Sequence, residues 1–198
     1  MGVLIGPNTL YYVIVRPKGK LREDFDFSDE KVRKPALLRP EMGERGTGDM
    51  ATTVIAITNQ KGGVGKTTTA AALLTGLHRR GAAVLGVDMD PQGSLGFSLG
   101  LDIEHCTTIY DVFRGQAEPE QAIVRTDTCD ILPSNILLSG AELEFNRPGR
   151  EFLLKTALSK VEDQYDYIII DTPPALSLLT VNAVSYTHLR AHETDQYL

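Results

Sequence analysis

The chain has 198 residues, of which 42% are hydrophobic, and its formal net charge is −6. This is enough material for one globular domain, and no apolar run approaches the ~18 residues that a membrane-spanning helix needs. The acidic balance gives no basic surface that could follow a phosphate backbone, so composition alone does not predict nucleic-acid binding.

Residues 1–49 differ in composition from the rest of the chain. They are rich in charge, proline and glycine, and they contain one strand-like run, Thr9 to Val15. A segment of this kind cannot bury a core of its own. We predict that residues 1–49 are a non-native or disordered upstream extension. A genuine amino-terminal arm is the alternative, although no helix-turn-helix pattern is visible in it.

A glycine-rich loop separates the next two predicted elements, a strand at 53–59 and an alanine- and leucine-rich helix at 66–80. Glycines allow main-chain amides to approach phosphate oxygens, and the start of a helix adds the positive end of its dipole. The order strand, loop and helix therefore predicts a nucleotide site. The residues expected to contact the nucleotide are Lys61, Gly62, Gly63, Val64, Gly65, Lys66, Thr67 and Thr68.

Individual loop residues predict distinct contacts with a triphosphate. Lys66 is expected to span the β- and γ-phosphates, and the Thr67 hydroxyl is expected to ligate Mg²⁺. The strict pattern G-x-x-x-x-G-K-[ST] requires glycine at position 60, where this chain has Gln60. A second lysine, Lys61, stands at the head of the loop instead.

Two aspartates, Asp88 and Asp90, follow the predicted buried strand at 83–88, in the sequence D-M-D-P-Q-G. Successive side chains of a strand point to opposite faces, so we expect the two carboxylates to have different roles. The alternative is that D-x-D-P is ordinary turn chemistry at the end of a strand. The phosphate-loop pattern about 20 residues upstream favours the functional interpretation.

The remaining elements alternate between helix and strand. We predict a short helix at 109–113, a strand at 129–132, helices at 139–145 and 151–161, and a final strand at 165–171, which ends in Asp171. Alternation of this kind predicts an α/β fold, with a mostly parallel sheet covered by helices on both faces. Ligands of such sheets bind at the carboxyl ends of the strands, where the glycine loop and the aspartates fall.

Three segments together resemble one family. The first is K-G-G-V-G-K-T-T, which is similar to the deviant Walker A loop of the ParA/MinD ATPases. The second, D-M-D-P-Q-G, is similar to their first switch, and the third, Y-D-Y-I-I-I-D-T-P-P, to their Walker B segment. The residues of the loop are most similar to those of the ParA/Soj-type partitioning proteins. The resemblance implies a P-loop NTPase fold of the SIMIBI type, incomplete here. It implies catalytic roles for Lys61, Lys66 and Asp90, and metal-supporting roles for Thr67, Asp88 and Asp171.

In this family, the extra lysine reaches across a dimer interface, so the resemblance implies that Lys61 acts on the partner's nucleotide. The alternative makes Lys61 a solvated loop charge. Asp90 is expected to orient the attacking water, and Asp171 is expected to hold Mg²⁺ through water.

The function implied is an ATP-binding and ATP-hydrolysing dimerisation switch for chromosome or plasmid partitioning, with ATP and Mg²⁺ as cofactors. The implied partners are a second copy of the chain, a ParB-like centromere-binding protein and non-specific DNA. The implied location is cytoplasmic, in association with the nucleoid and without a membrane. The alternatives are a MinD-like positioning ATPase, a bacterial tyrosine kinase and a non-functional fragment of such an ATPase.

The resemblance also suggests domain limits. Members of the family open with a methionine shortly before the first strand, which Met50 matches, so residues 50–183 are predicted to be the amino-terminal portion of a ParA-type ATPase domain. Residues 184–198 do not fit the family, and they read as the translation of a sequencing-library adapter. We predict an adapter-derived tail, in which the spacing of His188 and His192 does not indicate a metal site.

Overall fold

The computed structural model describes residues 2–6, 9–16 and 52–193. Across these residues, one sheet runs in the order β1-β2-β3-β7-β4-β6-β5. Its strands are β1 (Gly2–Gly6), β2 (Thr9–Arg16), β3 (Thr53–Thr58), β4 (Val84–Asp88), β5 (Val124–Arg125), β6 (Asp130–Leu132) and β7 (Tyr167–Asp171).

The four central strands of the sheet are parallel. β3 pairs with β7, β7 with β4, and β4 with β6, whereas β1, β2 and β5 join the two edges in antiparallel pairings. The register places Ile57 and Asp88 on either side of Asp171. The ends of three strands therefore meet at one point, as predicted for a ligand site of an α/β protein.

Helices connect the strands. They are α1 (Lys66–His78), α2 (Ser94–Ser98), α3 (Ile109–Phe113), α4 (Pro119–Ala122), α5 (Ala141–Glu144), α6 (Leu153–Leu158) and α7 (Leu178–Glu193), with 3₁₀ turns at Ile136–Gly140, Arg150–Phe152 and Glu162–Gln164. None of the described helices has the length and apolar character that crossing a bilayer requires.

Apolar side chains cover both faces of the sheet. On β7, Ile169 belongs to the cluster that contains α1 and α2, and Ile168 and Ile170 belong to the cluster that contains α3, α6 and α7. This alternation follows from the two-residue period of a strand. A strand buried on both sides needs a continuous apolar run, which is what the sequence of β7 provides. The predicted α/β class with helices on both faces is confirmed.

Most of the predicted elements are present with shifted ends. β3, β4, β6, β7 and α3 lie where the sequence indicates, and α1 ends at His78, two residues before its predicted end. The helices predicted at 139–145 and 151–161 are shorter, and each is preceded by a 3₁₀ turn. The first of these turns begins early because the Asn135 side chain accepts a hydrogen bond from the Leu137 amide.

The two ends of the described chain carry more regular structure than expected. β2 includes the predicted strand-like run, and it pairs with β3 in antiparallel register, Tyr12 opposite Thr58. At the other end, α7 continues to Glu193, and Tyr186 and Thr187 are buried. These observations do not test whether residues 1–49 and 184–198 are foreign to the domain, so the predicted boundaries stay predictions.

The packing of α1 on β4 predicts a specific sensitivity to Gly86→Ala. A Cβ at Gly86 would lie 2.5 Å from Ile131 Cδ1 and 2.7 Å from Leu74 Cδ1, and both of these side chains are fully buried. We expect the substitution to lower the free energy of unfolding, measured in urea, by about 1 to 3 kcal/mol.

Gly76→Ala is the control, because Gly76 lies on the exposed side of α1 and a Cβ there meets nothing within 4 Å. We expect it to raise the free energy of unfolding by about 0.5 to 1 kcal/mol through helix propensity. Equal effects of the two substitutions would contradict this account of the α1–β4 contact.

Candidate functional site

The loop between β3 and α1 leaves main-chain amides available to a ligand. Gly63 (φ 69°) and Gly65 (φ 90°) adopt left-handed conformations that other residues rarely take. Gly65 is the N-cap of α1, no side chain caps this helix end, and its first turn contains no acidic residue. Uncapped amides and the positive end of the helix dipole together suit an anion such as phosphate.

The two lysines of the loop occupy different environments. The Lys66 side chain is buried, and its Nζ donates a hydrogen bond to the main-chain carbonyl of Lys61 at 3.3 Å. The Lys61 residue is exposed, and its amide donates to Asn59 Oδ1 at 2.8 Å, which shapes the head of the loop. Lys66 therefore points its charge into the loop, whereas Lys61 is open to another molecule.

Thr67 and Asp171 form a direct contact beneath the loop. The Thr67 hydroxyl donates to Asp171 Oδ2 at 2.6 Å, and Asp171 is fully buried. Burial, aided by the negative charge of Asp90, raises the pKa of the Asp171 carboxyl to about 6, against the lowering effects of the Thr67 bond and of Lys66. Among the described side chains, Asp171 Oδ1 is the one buried polar atom that has no hydrogen-bond partner.

Asp88 lies beside Asp171 on the neighbouring strand and is also fully buried. Its Oδ1 accepts from the Asp90 amide at 3.0 Å, and its Oδ2 accepts from the amides of Leu95 at 2.9 Å and Gly96 at 3.4 Å, in the first turn of α2. Burial and then the charge of Asp171 raise the pKa of Asp88 to about 7. Both oxygens of Asp88 are therefore committed to main-chain amides.

Asp90 belongs to a tight turn. Its Oδ1 accepts from the Gln92 amide at 3.0 Å, and its carbonyl accepts from the Gly93 amide at 2.9 Å and from the Ser134 hydroxyl. The turn chemistry weighed as an alternative for D-x-D-P is thus present. Asp90 nevertheless lies close enough to Asp171 to raise the pKa of that carboxyl, so its negative charge also acts on the site.

The fold brings the predicted residues to one edge of the sheet. Lys66, Thr67, Asp88, Asp90 and Asp171 meet there. The loop residues Gly62, Gly63, Val64, Gly65 and Thr68 lie above them, and Lys61 is at the rim. Sequence reasoning missed Ser134, because a serine that follows a predicted strand, here in Pro133-Ser134, carries no signal of its own. The individual roles of these residues stay predictions.

The donor set fits a magnesium ion. Among the residues whose side chains the structure describes, no group of three or more His, Cys, Asp or Glu converges on one point, so this part of the chain offers no all-carboxylate cage. The partnerless Asp171 oxygen beside the Thr67 hydroxyl suits Mg²⁺ better, since this ion uses one or two protein oxygens and completes its shell with phosphates and water.

Comparisons with known proteins agree with this geometry. A family model described as an AAA domain matches residues 52–189. The sporulation initiation inhibitor protein Soj of Bacillus subtilis is 48% identical over 138 residues, which are 67% of this chain and 54% of Soj. The chromosome partitioning protein ParA of Caulobacter vibrioides is 44% identical over 138 residues, which are 67% of this chain and 52% of ParA. The chain thus spans about half the length of these relatives.

Two solved structures are also similar to this chain in sequence and in fold. Cobyrinic acid a,c-diamide synthase from Mycobacterium smegmatis, with bound ADP and magnesium, is 48% identical with a TM-score of 0.66, and the match covers 68% of this chain and 56% of that protein. A plasmid partition protein from Borrelia burgdorferi is 33% identical with a TM-score of 0.59, and that match covers 69% of this chain and 62% of that protein.

The buried carboxylates predict that the metal-free chain loses stability as the pH rises. Both folded-state pKa values exceed the ordinary carboxyl value of 3.8, so the folded chain binds protons more tightly than the unfolded chain. This stabilisation is complete below pH ~4 and is lost as the pH rises through about 6 and 7. Asp171→Asn stays neutral, so we expect it to be more stable than the wild type by about 1 to 2 kcal/mol at pH 8 and equally stable at pH 4.

Urea unfolding in the presence of a chelator, repeated across this pH range, measures the difference. Asp127→Asn is the control, because it makes the same substitution at an exposed position in the turn between β5 and β6, and it should change the free energy of unfolding at pH 8 by less than about 0.5 kcal/mol. An Asp171→Asn variant that is less stable than the wild type at pH 8 would show that the buried charge does not oppose folding.

Proposed function

The chain belongs to the ParA/Soj-type partitioning ATPases, a group of AAA-domain proteins, and on this basis we propose that it binds and hydrolyses ATP as a dimerisation switch in the partitioning of DNA. The observation that carries the proposal is the pairing of an uncapped helix start with a buried, partnerless carboxylate oxygen at Asp171. The first feature fits a phosphate, and the second fits the cation that accompanies it.

Binding of the triphosphate rests on the loop. The amides from Gly62 to Thr68 surround the phosphates, and Gly63 and Gly65 allow the backbone to approach them closely. The Lys66 ammonium leaves the carbonyl of Lys61 and pairs with the β- and γ-phosphates. The bond it gives up is long, at 3.3 Å, so the exchange costs little.

Thr67 and Asp171 are the residues that hold magnesium, with Asp88 supporting them from the neighbouring strand. When it is bound, Mg²⁺ neutralises charge that develops on the phosphate oxygens. Asp88 contributes by position, because its oxygens fix the Asp90 amide and the start of α2. The relative from Mycobacterium smegmatis was solved with bound ADP and magnesium, which supports an adenine nucleotide and magnesium as the ligands of this site.

Hydrolysis depends on Asp90 and on the lysines. Asp90 accepts a hydrogen bond from the attacking water and orients it towards the γ-phosphate, and Lys66 stabilises the negative charge of the transferring group. Lys61 completes the site of a second copy of the chain. Its exposure at the rim of the loop supports this role, since a charge that acts on a partner must reach out of its own subunit.

The partners of the switch are a ParB-like centromere-binding protein and DNA bound without sequence preference. The relatives support a role in the partitioning of DNA, because they include both chromosome partitioning proteins and a plasmid partition protein. In this scheme, ATP closes two copies face to face and hydrolysis releases them. ATP then acts as a timer for the association with DNA.

The lysines should separate ATP binding from ATP turnover. Lys66→Ala removes the buried ammonium from the phosphates, so we expect the affinity for a fluorescent ATP analogue to fall at least about tenfold. Lys61→Ala removes an exposed charge that serves the partner, so the affinity of the isolated chain should change by less than about threefold while turnover falls at least about tenfold. Equal losses of affinity in both variants would contradict the division of roles.

Mixing two inactive variants tests whether Lys61 acts in trans. Asp90→Ala retains Lys61, and Lys61→Ala retains Asp90, so a mixed dimer contains one site with both residues. Half of randomly formed dimers are mixed, and we expect about a quarter of the wild-type turnover to return in an equimolar mixture. A mixture no more active than its two components would place Lys61 in its own subunit's site or outside the reaction.

A further inference from the structure

We propose that Ser134 is a positioning residue that holds Asp90 in the orientation required for hydrolysis. The inference rests on the proposed function, because it concerns the residue that orients the attacking water. Ser134 follows β6, is fully buried, and is 44 residues away from Asp90 in the chain. No charge or recognisable motif marks it in the sequence.

The Ser134 hydroxyl donates a hydrogen bond to the main-chain carbonyl of Asp90. The Asp90 amide, on the other side of the same residue, donates to Asp88 Oδ1 at 3.0 Å. Both peptide groups that flank Asp90 are therefore held, one from β4 and one from the end of β6. Fixing the two peptide planes fixes the direction in which the Asp90 side chain leaves the backbone.

The same two segments also approach each other closely at Gly93. Gly93 closes the turn in a left-handed conformation (φ 65°), and its amide donates to the Asp90 carbonyl at 2.9 Å. A Cβ at Gly93 would lie 3.0 Å from the Ser134 carbonyl oxygen and 2.4 Å from Ile103 Cδ1. The main chain of Ser134 therefore lies close to Gly93, and the turn has no room for a larger residue at this position.

The bonds within the turn define its shape but do not fix it to the sheet. Asp90 Oδ1 accepts from Gln92, which moves together with the turn. Without the Ser134 hydroxyl, the β6 side of this attachment is lost, while the charge, the phosphate loop and the metal residues remain. A displacement of less than 1 Å is enough to slow a reaction that depends on the position of a water, and it leaves substrate binding intact.

The test compares Ser134→Ala and Ser134→Cys with a matched control in the full chain. Thr52→Val is the control, because Thr52 is buried and its hydroxyl also donates to a main-chain carbonyl, that of Glu162, at the opposite end of β3. The cysteine variant keeps the shape of the side chain, with a somewhat larger terminal atom, but provides only a weak donor. Ser134→Thr restores a hydroxyl.

We expect Ser134→Ala to lower kcat for ATP about three- to tenfold, with KM within about twofold of the wild type. Exchange of the Gly93 amide with solvent, followed by NMR, should accelerate at least about threefold, since the turn is released on one side. Ser134→Cys should change both quantities in the same direction. Ser134→Thr should recover at least half of the lost kcat, and Thr52→Val should change neither quantity.

Wild-type kcat and wild-type Gly93 exchange in the alanine and cysteine variants would overturn the inference, as would equal effects of Thr52→Val. The proposed function fails separately, if the wild-type chain neither binds nor turns over ATP with Mg²⁺. In that case, unchanged Gly93 exchange in the Ser134 variants would also refute the attachment, because this readout needs no nucleotide.

Discussion

Two carboxylates that are buried side by side in the sheet place negative charge in the interior of this molecule, and the rest of the site depends on that charge. Asp88 and Asp171 end neighbouring parallel strands in register, and both are fully buried. Burial is the main cause that raises both pKa values, to about 7 for Asp88 and about 6 for Asp171, with the charge of Asp171 adding to the first and the charge of Asp90 to the second. Asp88 is compensated by main-chain amides, but Asp171 retains one oxygen without a partner. The fold therefore keeps a concentration of negative charge that a cation can relieve.

Positive charge lies next to these two carboxylates, in the loop between β3 and α1. The amino end of α1 is uncapped, and Lys66 holds its ammonium against its own loop. An anion would satisfy the amides and the ammonium, while a cation would satisfy Asp171. A magnesium-bound triphosphate carries both charges in one ligand. The site is thus complementary to the complex more than to either component, which supports the proposed ATP-dependent switch.

The sequence predicts those parts of the structure that depend on local order. The run from β3 through the glycine loop to α1, and the aspartates that end β4 and β7, follow from apolar runs and glycine positions. Contacts between distant segments leave no such signal. The amides that surround Asp88 come from α2, a helix too short to show periodicity, and Ser134 reaches Asp90 across 44 positions. The antiparallel pairing of β2 with β3 was likewise hidden, because the sequence specifies a strand but not its neighbour.

Thermal unfolding of the chain at pH 8 with Mg²⁺, with ATP and with both together tests the central claim most directly, because only the complex satisfies both halves of the site. The account predicts that ATP with Mg²⁺ raises Tm by more than the sum of the separate shifts, since a ligand that binds the folded state tightly stabilises it by mass action. Shifts that simply add, or no shift with the complex, would contradict the claim that Asp171 and the start of α1 form one site for a metal-bound nucleotide.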